Sequence, residues 1–261
     1  MDMNNFVIDR VVRGIALSQT DDSILFSINQ VTNPSLTVSS ENTEAVDALG
    51  VPIARFYRSK TAEFSAENSL FDMALMATQS GTVKKVASKT DKVTSPAFET
   101  ITIDGSATYD LAHIPTEDVG KIYLLNGDST IGTVYTSNTA ASDTQFIYAK
   151  TEGKATITPP TGLTNGDQLF VIYEYEAESA VEVTNAANKF PVGCKFILEV
   201  LGCDVCDQTN LIYAYIIFPN AKLSPDFDWS IATDSTHPFS LTAMQDYCSR
   251  EKVLFKVVIP E

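Results

Sequence analysis

Apolar residues in this chain fall mostly in short runs separated by turn residues, the texture of strands, and only one long stretch keeps helical spacing. In the first third, Ile24 to Ile28 reads as a strand, Asn33-Pro34 as a turn and Leu36 to Val38 as a second strand. Residues 39 to 50 are polar, acidic and short of large apolar side chains, so an exposed loop is expected there. Ile53 to Tyr57 and Thr61 to Ser65 follow as strands. Ala66 to Gln79 is the helix, because Phe71, Ala74, Leu75 and Thr78 fall on one face and Leu70 and Met73 widen it. Ser65 suits its N-cap, Glu67 its first turn and Gly81 its stop.

Residues 82 to 97 carry Lys, Ser and Thr, include Pro96, have no apolar period, and read as a linker. Beyond it lie Phe98 to Ile103 and Ala107 to Leu111, flanking Asp104-Gly105, a pair that favours a hairpin turn. Lys121 to Leu125, an Asn126-Gly127-Asp128 turn, Thr130 to Tyr135, Gln145 to Ala149, Ala155 to Thr158 and Gln168 to Tyr175 complete about seven strands in about ninety residues. That spacing predicts an immunoglobulin-like sandwich, although the Cys, Trp, Cys set of antibody domains is missing. Ala177 to Asn188 is a second polar connector.

The last third resumes with Lys195 to Leu201 and Leu211 to Phe218, the latter apolar enough for a central strand. Phe227 to Ala232 and Pro238 to Leu241 are further strands. Thr242 to Gln245 fits a capping box opening a short helix through Cys248, and Leu254 to Ile259 closes the chain as a strand. Neither flank offers enough elements for a domain alone. The expected fold class is therefore mainly β: a sandwich or partial barrel with two short helices, formed by residues 1–92 plus 185–261 and interrupted by an immunoglobulin-like domain at 93–184.

Charge sharpens this division. Of the net −15, residues 93–182 hold −10, from 13 acidic and 3 basic side chains. Such a surface repels nucleic acid and favours solubility in a crowded assembly. The N-terminus has no basic segment followed by an apolar one, so no signal peptide is expected, and no apolar run has membrane-spanning length.

Candidate chemistry is sparse. No phosphate-binding Gly loop, dinucleotide fingerprint, HExxH or GxSxG is present, so neither an enzyme nor a cofactor is expected. His113 precedes Ile-Pro in a loop and His237-Pro238 reads as a turn, which places both at the surface. Cys203 and Cys206 form a CxxC between two strands. With Cys194 and Cys248 they make a candidate thiolate metal site, weighed against reduced thiols or a disulfide. Turn acids Asp104, Asp128 and Asp167 lack a calcium-loop series and read as solvated.

The stretch Ser35-Leu-Thr-Val-Ser-Ser-Glu41, Asp47-Ala-Leu-Gly50 and Lys60 to Phe71, with the endings Phe239 to Cys248 and Lys252 to Ile259, resembles the major tail tube proteins of tailed bacteriophages. The shared pattern is a strand pair, a long loop, a helix, then late strands with a short helix and a closing strand. The resemblance implies a structural virion protein whose subunits close into hexameric rings by edge-to-edge sheet pairing, the stacked rings forming a conduit for DNA. It implies as partners further copies of the chain and other tail proteins, DNA passing without specific binding, no membrane insertion, and assembly in the host bacterial cytoplasm. The 39–50 loop then becomes an inter-ring assembly loop, with Glu41, Glu44 and Asp47 meeting Arg55, Arg58 and Lys60 of a neighbour, and the middle domain an outward decoration. Two alternatives stand beside it: a capsid decoration or head-stabilising protein, and a carbohydrate-binding adhesin module.

Overall fold

A computed structural model describes residues 5–245, 247 and 251–260. The chain forms strands β1 (Phe6–Ser18), β2 (Ile24–Ile28), β3 (Val31–Val46) and β4 (Pro52–Asn68), then helix α1 (Met73–Gln79). Strands β5 (Lys85–Val86), β6 (Val93–Thr102), β7 (Tyr109–Asp110), β8 (Lys121–Leu125), β9 (Ile131–Ser137), β10 (Gln145–Thr151), β11 (Lys154–Thr158), β12 (Gln168–Ala177) and β13 (Val181–Glu182) follow. The chain finishes with β14 (Gly193–Asp204), β15 (Asp207–Leu223), β16 (His237–Ala243) and β17 (Lys256–Val258). It is mainly β, and it divides into two compact units: Lys85–Glu182, and the remainder up to Lys84 and from Val183 onward.

The discontinuous unit is one nearly closed, barrel-like sheet in the order β2-β1-β14-β15-β16-β4-β3, with β17 on β15. Strict alternation builds its core. Cys194, Phe196, Leu198 and Val200 of β14 point inward with Ala62, Phe64 and Ala66 of β4 and Phe239 and Leu241 of β16. Phe196 is the hub, its ring 5.7–6.3 Å from the rings of Phe26, Phe64, Phe218 and Phe239. Each such ring contributes roughly 1.5–3 kcal/mol by leaving water.

The Lys85–Glu182 unit opens and closes on the short β5–β13 pair. Its other seven strands form two antiparallel ladders, β6-β12-β8-β9 and β10-β11-β7, joined by a brief parallel contact between β9 and β10. Side chains from both ladders, among them Ile101, Ile122, Leu169, Val171, Phe146 and Ile157, share one core. Glu99 receives the Ala112 backbone N–H and the Tyr173 hydroxyl, and that hydroxyl in turn accepts the His113 N–H at 3.1 Å. Burial, and then Glu99, push the Tyr173 phenol pKa up.

Several expectations need correction. β1 has no counterpart in the pattern reading because irregularities after Ile8 and after Val11 twice reset its alternation. Residues 39–46 are strand, paired to β4; with neither face buried, they carry no apolar alternation to betray them. The helix starts at Met73, because Ala66 and Asn68 continue the β4–β16 ladder opposite Phe239 and His237. Asp72, not Ser65, is the N-cap, accepting from Leu75 N at 2.7 Å. The 82–97 segment contains β5 and half of β6, with Pro96 tolerated on an edge strand.

Asp104-Gly105 makes no hairpin: β6 pairs with β12 and β7 with β11, so the chain crosses from one ladder to the other. Residues 227–232 form no strand and are held through aromatic stacking instead. Thr242 and Ala243 finish β16, where the capping box was expected, and Gln245 is not helical; Asp246 and Cys248 lie outside the described residues. Among the described residues there is one helix.

Candidate assembly surfaces

The β3–β4 hairpin carries the most conspicuous surface. Up to Thr61, counting back from the core, β4 packs through Ala62, Phe64 and Ala66, and β16 covers its other edge only between Glu63 and Asn68. Then Ser59, at φ +51°, inserts an extra residue opposite the Ser39–Glu41 step. Beyond this bulge the two strands pair, among the described residues, only with each other, and both faces are exposed almost throughout. Eight residues from Ser39 to Val46 extend it by roughly 26 Å.

Pairing assigns the faces of this arm. Glu41, Thr43, Ala45, Ala54, Phe56 and Arg58 share one face, and Asn42, Glu44, Ile53, Arg55 and Tyr57 the other. Leu49 is 88% exposed at the tip, Ile53 70% and Tyr57 67%. An isolated two-stranded ribbon is marginal in water, and one presenting this much apolar surface is suited to covering by another chain.

The predicted assembly residues all lie on the arm, but several are paired within it. Arg55 Nε donates to Glu44 Oε1 at 2.7 Å. Hydrogen bonding to Tyr57, and then to Glu44, raises the Arg55 pKa further. Glu41 stands directly opposite Arg58 in register. Asp47 closes the turn, one carboxylate oxygen accepting Leu49 N at 2.9 Å and Val51 N at 2.8 Å, while Gly50 takes φ +83°. Lys60 sits in the bulge beside a shallow cavity bordered by Gln245 and Lys252 to Phe255. The apolar residues Leu49, Ile53, Phe56 and Tyr57 were not foreseen as contacts. Their signal, a strand-like run beside a polar segment, gives no hint that both faces are bare.

A second projection is built from Phe6–Ile8 of β1, the end of β14 and the start of β15, with Val7, Ile8, Leu211 and Tyr213 exposed. Gly202 permits it: a Cβ there would lie 2.2 Å from the Val7 carbonyl oxygen. Arg13 Nε pairs with Glu199 at 2.6 Å at its base. At the two ends of the sheet order, β2 and β3 each present an edge with no strand partner among the described residues.

The remaining candidates do not converge. Cys194 and Cys203 are nine residues apart on one strand, roughly 30 Å, so they cannot ligate one ion within a subunit. Cys194 is buried, and burial pushes its thiol up to about 11, whereas Cys206 is exposed at the β14–β15 turn. Cys248 lies outside the described residues, and no metal-holding cluster occurs among the described ones. The carboxylates of Asp104, Asp128 and Asp167 are taken up by N–H and O–H groups of their own turns. His113 is exposed, stacked 3.8 Å over Tyr175. His237 is not at the surface: it is 1% exposed, because it lies inside the β16–β4 ladder rather than in a turn. No described helix is long and apolar enough to cross a membrane.

Residues 6–257 match the family model described as the YomU/Tube protein family. No curated protein matches the chain.

Proposed function

The chain belongs to the YomU/Tube protein family, and from that premise we propose that it is a tail tube subunit whose copies close into hexameric rings and stack into a conduit for DNA. A phage tube family points to a structural, non-enzymatic role and a place in the virion. The observation that carries the finer reading is the β3–β4 arm, bare on both faces and apolar at its tip, on a sheet whose edges have no strand partner among the described residues. In this reading edges pair around the ring and the arm reaches a neighbouring copy, where its apolar residues are covered. Glu44 and Arg55, joined within the arm, stiffen it, and Glu41, Arg58 and Lys60 remain for contacts between subunits. Other tail proteins cap the stack, and assembly takes place in the host cytoplasm.

The Lys85–Glu182 unit is proposed as an inserted immunoglobulin-like domain. Its order supports this: β7, β11 and β10 take the places of strands B, E and D, and β8 and β12 those of C and F. The first strand, β6, lies beside β12 where an immunoglobulin domain has its last strand, G. Chain exit and return are adjacent, since Thr82 Oγ1 donates to Thr184 O at 3.0 Å.

Negative-stain imaging of the purified protein tests the proposal. Hollow tubes of stacked six-fold rings are expected, both from the full chain and from one in which a short linker replaces residues 85–182. Trimers, or particles seen only on capsids, would favour the head-decoration reading and overturn this one.

A further inference from the structure

Buried polar side chains are concentrated in one place. Among the described residues these are Asn68, Thr78, Gln79, Ser80 and His237, where the end of β4, the end of α1 and the start of β16 meet. His237 Nε2 lies 2.8 Å from Gln79 Oε1, and Gln79 Nε2 donates to Pro238 O at 3.2 Å. Gln79 therefore accepts from Nε2, which leaves Nδ1 of the neutral ring as an acceptor. Among the described residues Nδ1 has no hydrogen-bond partner, nor do Asn68 Oδ1, on the residue facing His237 across the ladder, and Ser80 Oγ.

An aromatic column stands on this junction. Phe71 stacks on His237 with centroids 5.1 Å apart, and Trp229 stacks on Phe71 at 4.3 Å. Phe227 lies 6.0 Å from the imidazole. Residues 224–236, which carry Phe227 and Trp229, belong to no strand, so these rings and a bond from Thr236 Oγ1 to Glu67 at 2.8 Å are prominent among their attachments.

We propose that His237 is the pH-sensitive pin of a latch: uncharged, it seats the Phe71–Trp229 column and holds the 224–236 segment to the sheet, and its protonation releases that segment. A proton on Nδ1 places a charged donor where the ring is buried, and the uncharged acceptors, Asn68 Oδ1 and Ser80 Oγ, can meet it only if the junction rearranges. Asp72 at the N-cap of α1 acts on the ring electrostatically, and the next charged groups are Glu67 on β4, beside its ladder partner Asn68, and Asp226 and Asp228 of the segment, which line the cavity against Pro238. Burial lowers the His237 pKa from its ordinary 6.5, and Asp72 partly opposes this. Because burial holds the closed-state value below that of the released ring, the closed latch keeps its full advantage above the released value and loses it as pH falls from there through the closed-state value.

Trp229 is the chain's one tryptophan, so its fluorescence reports the segment directly. In the full-length protein, lowering the pH is expected to shift Trp229 emission to longer wavelength and increase acrylamide quenching, with a midpoint below 6.5. His237→Gln should abolish the transition. Asp72→Asn, which keeps an N-cap while removing the charge, should move the midpoint lower. Emission that stays flat over this range in the wild type, or a transition that survives in His237→Gln, would overturn the latch. Should His237→Gln fail to fold, an unmoved midpoint in Asp72→Asn overturns it equally.

Discussion

Replacing Leu49 and Ile53 together by Lys should disable assembly while leaving the subunit folded. Both side chains sit on the arm beyond the bulge, 88% and 70% exposed, and touch neither core. Covering an aliphatic side chain of this size is worth roughly 1.5–3 kcal/mol, so burying these exposed fractions in a neighbour supplies about 2.5–4.5 kcal/mol per subunit. At 1.4 kcal/mol per tenfold, the concentration needed for assembly should rise by roughly two to three orders of magnitude. Two buried ammonium groups add a desolvation cost to that. Surface substitutions away from packed features change stability by only about 0.5 kcal/mol, so the urea midpoint of the subunit should hardly move. Sedimentation velocity over a concentration series, with circular dichroism as the folding control, measures both quantities. A folded double variant that assembles at the wild-type concentration would refute the assignment of the arm as a subunit contact.

The core and the thiols give sharper local tests. Phe196→Ala removes the ring at the hub of five phenylalanines and should cost about 3–5 kcal/mol, read as a lowered denaturation midpoint; a loss below about 1 kcal/mol would contradict the packing described. With a thiol reagent at about pH 8, Cys206 should react in the native protein and Cys194 only after denaturation, because burial holds the Cys194 thiol far from its ordinary range. Mass mapping of labelled peptides shows which thiol is modified first.

The residues that announced themselves in the sequence are those with one buried face. The strands read over 24–28, 121–125, 145–149, 155–158 and 168–175 all lie within β2, β8, β10, β11 and β12, since a half-buried strand alternates apolar with polar side chains. The run Leu211 to Phe218 reads as central and lies within β15, between β14 and the pair β16 and β17. The acidity of residues 93–182 was likewise plain from composition alone, since charge needs no partner to be counted.

Tertiary structure decided what alternation does not encode. Ala66 to Asn68 carry helical spacing, yet the ladder to Phe239 and His237, some 170 residues away, draws them into β4, because cross-strand burial outweighs local propensity. His237 looked like a turn residue beside Pro238 and became the most buried titratable ring, through partners on α1 and β4 that the local sequence does not contain. The predicted 39–50 loop is one side of an extended arm for the complementary reason: with neither face buried, Ser39–Val46 leaves no periodic trace, and its pairing with Pro52–Thr61 gives it form. Local sequence thus determined where most half-buried strands lie, β1 and the start of β6 excepted, while long-range pairing determined the junction, the arm and the edges from which an assembly can be built.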